Sequence, residues 1–148
     1  DFIYKSALAK NVRLVTIISF LLIIGIEYLM IHCGEFSYRA FNIHIGAMFG
    51  SMMAFNVWFR IWPAQQKIIS AIRDGETPDG DLMALAGLRS KHNTYLSVPL
   101  IWTMINEHTV VFSGKLCGCT GLVLAIVIPL GWHIVFQLYK KAAKVKGF

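Results

Sequence analysis

Four apolar stretches, at about 14–32, 41–63, 94–113 and 118–139, constrain this chain more than any other feature. An α-helix rises about 1.5 Å per residue, so about 20 residues cross a hydrocarbon core of about 30 Å. Each stretch is long enough, although the third carries Pro99, Asn106, Glu107 and His108. The 148 residues are 56% hydrophobic, more apolar side chain than a soluble domain of that length can bury. Inside lipid every backbone polar group must be paired within its own segment, which requires helices. The sequence therefore predicts an all-α fold, an integral membrane four-helix bundle forming one domain over residues 1–148. Lys5, Lys10 and Arg13 precede the first stretch as in a signal peptide. Its apolar run is longer than a signal h-region, and no small-x-small cleavage site follows.

The net charge of +6 invites a nucleic-acid reading, which the placement of the charges excludes. Lys5, Lys10 and Arg13 come before the first span, and Arg60, Lys67, Arg73, Arg89 and Lys91 lie between the second and third. Lys140, Lys141, Lys144 and Lys146 follow the fourth, leaving only Arg39 and Lys115 on the other side. By the positive-inside rule both termini and the 64–91 loop are cytoplasmic, in a multi-pass protein of a bacterial inner membrane. The basic ends suit anionic lipid headgroups. Within the loop, "AQQKIISAIRDG" continues helically past Pro63 and stops at Gly75, "TPDGD" is a turn, and Asp81 is the expected N-cap of the next helix.

Depth then sorts the polar residues. His32, Cys33, Glu35, His44, Glu107, His108, Cys117 and Cys119 collect on the outer side, and His92 and His133 on the inner. Ionisable residues within spans are costly and become functional candidates. His44 and His108 sit near the outer ends of antiparallel helices, at matching depth. Two such imidazoles can hold a haem iron axially within a helical bundle. Gly46 and Gly50 form a G-x-x-x-G step, which admits a flat macrocycle or simply another helix. His92 with His133 is a second candidate pair. His92 and His108 are sixteen residues apart, however, about 160° of rotation on a straight helix, with Pro99 between them. A metal site drawing on His44, Glu107, His108 and His32 is the rival. No C-x-x-C-H motif marks a c-type haem, and Cys33 either pairs with Cys117 or Cys119 in an oxidising compartment or all three stay free thiols.

The segments "HIGAMFGSMMAFNVWFRIWPAQQKII" and "RSKHNTYLSVPLIWTMINEH" resemble the N-terminal membrane domain of the integral-membrane, cytochrome c-linked urate oxidase family. The positions that carry the resemblance are His44, Gly46, Ala47, Gly50, Asn56, Pro63, Gln66, Lys67, Arg89, Ser90, His92, Asn93, Tyr95, Pro99, His108 and His133. It covers roughly residues 41–137 and implies a membrane redox protein that passes electrons to a c-type cytochrome. Against the family's full pattern, this chain is expected to be the histidine-bearing half of the membrane domain, used as a subunit.

The expected function is a membrane-anchoring redox subunit binding haem b, one haem rather than two, within a larger respiratory or oxidative complex. His44 and His108 are its axial ligands, His92 and His133 serve an inner haem, quinone or proton site, and Arg60 and Arg89 meet haem propionates. No catalytic residue is assigned. The expected partners are other membrane subunits, a c-type cytochrome, lipid and a quinone, with no nucleic acid. Two alternatives stand beside it: a cofactor-free structural subunit, and the membrane part of a urate or purine oxidase.

Overall fold

The computed structural model describes residues 10–106, 108 and 121–145. Among them the chain is all-helical, with no strand. Helix α1 is Val12–His32, α2 is Tyr38–Asn56, α3 is Trp62–Arg73, α4 is Gly80–Asn106 and α5 is Leu122–Ala142. A π-helical turn, Val57–Ile61, joins α2 to α3 without a break, so four helical rods result. Two of them, α1 and α5, are long and apolar enough to cross a membrane.

Side chains set the helix ends. The Asn11 carboxamide accepts from the Leu14 N–H at the start of α1, and the Ser37 hydroxyl accepts from Ala40 at the start of α2. Gly75, at φ 74°, closes α3 with the left-handed residue such ends favour. The cap of α4 is Asp79 rather than the expected Asp81. The Asp79 carboxylate takes the Asp81 N–H at 2.8 Å, and its carbonyl starts the helical ladder at Met83. The segment expected as a loop at 64–91 is helical on both sides of that turn. The second expected span, 41–63, begins earlier at Tyr38, and the third belongs to a helix that already starts at Gly80.

The π turn has a sequence cause. Pro63 has no N–H for the Phe59 carbonyl, and its ring crowds that carbonyl, so the ladder widens just before it. The widening also preserves a face. Tyr38, Asn42, Ile45, Phe49 and Asn56 are the inward positions of α2. Uninterrupted α-geometry would carry that face to about 63 and 67. One extra residue in the π turn moves it to Ala64 and Ile68, the positions that are buried in α3.

The rod from Tyr38 to Arg73 runs antiparallel to α4 along most of its length, and α5 packs on α4 and shares the core with α2. Gly131 of α5 faces Val98 and Pro99, Tyr95 stacks on Tyr139, and the Tyr139 hydroxyl donates to Thr94 at 3.0 Å. Pro99, inside α4, removes a ladder donor, and the Ser97 hydroxyl supplies one to the Thr94 carbonyl at 2.8 Å. Helix α1 closes the core through Ile23, which clusters with Tyr38, Phe41, Ile45, Phe49, Leu124 and Ile128.

Candidate functional site

The α2–α4 contact is a seam of polar and small residues. At one end the Asn106 amide donates to the Tyr38 hydroxyl, and Asn42 donates to the Tyr38 carbonyl at 2.8 Å. Next comes Gly46, where a Cβ would lie 2.5 Å from Thr103 Oγ1, then Gly50 against Leu100. At the other end Asn56 donates to Asn93 Oδ1 at 2.9 Å, and Asn93 returns its own amide to the Met53 carbonyl at 3.2 Å. Asn42, Asn56, Thr103 and Asn106 are all buried. Polar groups withdrawn from solvent need such partners.

This seam decides where the expected site residues lie. Gly46 and Gly50 face α4, and the space they leave is filled by Thr103 and Leu100. His44 is two residues from both Asn42 and Gly46, about 160° around the helix from each. It is exposed on the side of α2 turned away from α4, edge-on to Phe36 at 4.9 Å. The glycines and His44 therefore do not share a cleft. His44 Nδ1 lies 2.7 Å from the Ala40 carbonyl, which can only accept, so Nδ1 donates and Nε2 holds the lone pair in the neutral ring. That is the arrangement of an imidazole poised to ligate through Nε2.

His108 lies just beyond α4, exposed, in a turn whose N–H reaches the Ile105 carbonyl. His133 is exposed on α5, two residues from the inward-facing Gly131 and Val135, and its Nε2 meets the Gln137 amide at 3.2 Å. His92 is half-buried on α4, beside Asn93. Burial holds its imidazole below the usual histidine range, and the nearby Arg89 guanidinium adds to the effect. Arg60 lies one turn past Asn56 and Arg89 one turn before Asn93, at the same level of the hairpin, with Arg89 buried. His32 tilts against Tyr28 at 4.3 Å, and Cys33 is exposed. Glu107, Cys117 and Cys119 lie outside the described residues.

An enclosed bis-histidine haem between α2 and α4 does not fit this arrangement, because Thr103 fills the Gly46 notch and His44 points the other way. Among the described residues no three His, Cys, Asp or Glu side chains converge as metal ligands would. Two buried features escaped sequence reasoning. One is the Tyr38–Asn106 contact, which no local motif signals. The other is Glu27, 3% exposed within α1. Its signal was plain, since it is the only acid in the first apolar stretch.

No curated protein and no solved structure matches the chain. A family model does, "Urate oxidase N-terminal", over residues 1–146, well beyond the 41–137 segment that carried the resemblance. With nearly the whole chain matched, this protein belongs to the urate oxidase N-terminal family.

Proposed function

We propose that this chain is a membrane-embedded subunit of a urate-oxidase-type redox complex, crossing the bilayer four times with both termini cytoplasmic. One observation carries the reading: around an apolar core, large apolar side chains cover the outside while several polar groups are buried, an inversion of what a soluble bundle presents to water. Ile17, Leu21, Leu29, Ile101, Ile105, Ile126 and Leu138 are exposed, whereas Glu27, Asn42, Asn56, Arg89, Thr103 and Asn106 are inside. Lipid favours that inversion, and water does not. Trp58, Phe59 and Trp62 stand exposed around the π turn beside Arg60, as an aromatic and basic girdle at the inner interface would. The α3 helix and the first turns of α4 then project into the cytoplasm.

The haem b reading takes a narrower form on this geometry. His44 offers Nε2 outward, so the group it ligates lies outside the α2–α4 contact, with His108 as the second axial candidate or a neighbouring subunit supplying it. A c-type cytochrome receiving electrons and a quinone near the inner edge belong to the same proposal. The filled notch at Gly46 favours a second reading, a cofactor-free structural subunit whose glycines serve only helix packing. A reduced-minus-oxidised optical spectrum of the purified complex separates the two. A haem Soret band that is lost in His44→Ala supports ligation, and its absence from the wild type leaves the structural subunit. Labelling of single cysteines placed near residues 76 and 144 from the outer face would overturn the topology.

A further inference from the structure

Glu27 lies five residues before the end of α1, about 7 Å along the axis from His32. It is 3% exposed, and its Oε1 has no hydrogen-bond partner. The carboxyl is aimed at the start of α5. A Cβ on Gly121, the N-cap of α5, would sit 3.0 Å from Oε1 and 3.3 Å from Cδ. Gly121, having no side chain, does not itself cap the first N–H groups of α5. The glycine thus admits an acidic group to the positive end of a 21-residue helix.

Two opposed effects act on such a group. Burial in an apolar contact disfavours the carboxylate, because the charge loses its hydration. The N-terminal dipole of α5 favours the carboxylate, because the partial positive charge of the free N–H groups is close by. Among the described residues no ionic partner settles the balance. Of the titratable groups on the packed elements, Tyr38 of α2 is in the same core and takes the Asn106 amide. Arg39 and His44 of α2 are exposed, as are Tyr28 and His32 of α1, and on α5 the first titratable residue is His133.

We propose that Glu27 is a proton-binding site at the α1–α5 contact, a buried carboxylic acid that exchanges its proton with the outer aqueous phase. On release the O–H bond breaks, the proton passes to water, and the negative charge remains against the first turn of α5. On uptake the proton returns and the neutral acid is buried again. The site stands on Glu27, Gly121 and α5 and needs no haem, so it is independent of the electron-transfer reading.

The test is infrared difference spectroscopy of the full chain in lipid vesicles, with ¹³C-labelled glutamate, across about pH 4 to 9. The expected result is a protonated-carboxyl stretch that titrates, shifts with the label, and disappears in Glu27→Gln. Glu27→Asp should retain a carboxyl band with a displaced midpoint. Gly121→Ala, which brings a methyl against the carboxyl, should displace the midpoint without abolishing the band. Glu35 and Glu76 are exposed, and a glutamate in water titrates at about pH 4. A glutamate band that titrates above about pH 6 and survives in Glu27→Gln would therefore overturn the proposal, as would the absence of any such band from the wild type. Should Glu27→Gln fail to fold, the Gly121→Ala comparison decides: an unmoved midpoint places the proton elsewhere. None of these failures bears on the span topology, which cysteine labelling tests separately.

Discussion

Thr103 occupies the notch that Gly46 leaves in α2: a Cβ at position 46 would lie 2.5 Å from the Thr103 hydroxyl oxygen. That hydroxyl is held by its bond to the Leu100 carbonyl at 2.7 Å, so it cannot yield cheaply. Gly46→Ala should destabilise the chain in detergent by about 1–3 kcal/mol, the usual cost of overpacking. Adding Thr103→Ala should restore much of the loss. Gly25→Ala, at a site with nothing within 4 Å, should leave the unfolding midpoint where it is. Thermal unfolding of the three variants checks all of this, and equal losses at Gly25 and Gly46 would contradict the close contact.

The Asn56–Asn93 pair fastens the other end of the same seam. Replacing either by Ala strands a buried partner, and Asn93→Ala also frees the Met53 carbonyl. Each single variant should lose about 1–3 kcal/mol. The coupling between the two should be about 0.6–1.7 kcal/mol, the range found for hydrogen bonds between membrane helices. A double-mutant cycle in mixed micelles measures it, and additive losses would mean the bond contributes nothing of its own.

Pro63 holds the π turn open. With Pro63→Ala the Phe59 carbonyl regains a donor, and Val57–Ile61 should relax to ordinary α-helix. The relaxation would rotate α3 by about 100° relative to α2. Spin labels at residues 69 and 84 should report a changed distance between α3 and α4. An unchanged distance would show that tertiary contacts, not the proline, impose the turn.

His92 should make stability depend on pH. Its folded-state pKa is lowered from 6.5 by burial and by Arg89, so between that lowered value and 6.5 the unfolded chain binds more protons than the folded one. The contribution is fully present above pH 6.5 and is lost as pH falls through the folded-state pKa. His92→Gln should flatten that part of the profile. Denaturation of both proteins from pH 7.5 down to about 5 checks the sign.

Much of this architecture could be read from the chain. The four apolar stretches, the helical continuation past Pro63 and the stop at Gly75 follow from local physics. Position along a helix could also be read. Azimuth was harder. Placing His44 beside Gly46 and Gly50 joined residues of similar depth, but a two-residue step is more than half a turn, so they lie on opposite sides of α2. The Asp79 cap was missed for a related reason: Asp79 and Asp81 are both good caps, and only backbone geometry selects between them. Tyr38 and Asn106 are sixty-eight positions apart, and only the folded hairpin brings them together.

The extra residue at Val57–Ile61 works as a spacer in the sense of a gear train. Closing the turn to ordinary α-geometry with every residue kept would leave both helices intact but one tooth out of step. The row that now presents Ala64 and Ile68 to α4 would instead present Pro63 and Lys67, pressing a cation into an apolar contact and turning Ile68 toward water. A single deletion within the turn would remove the extra residue as the turn closes, and so would return Ala64 and Ile68 to the row that faces α4.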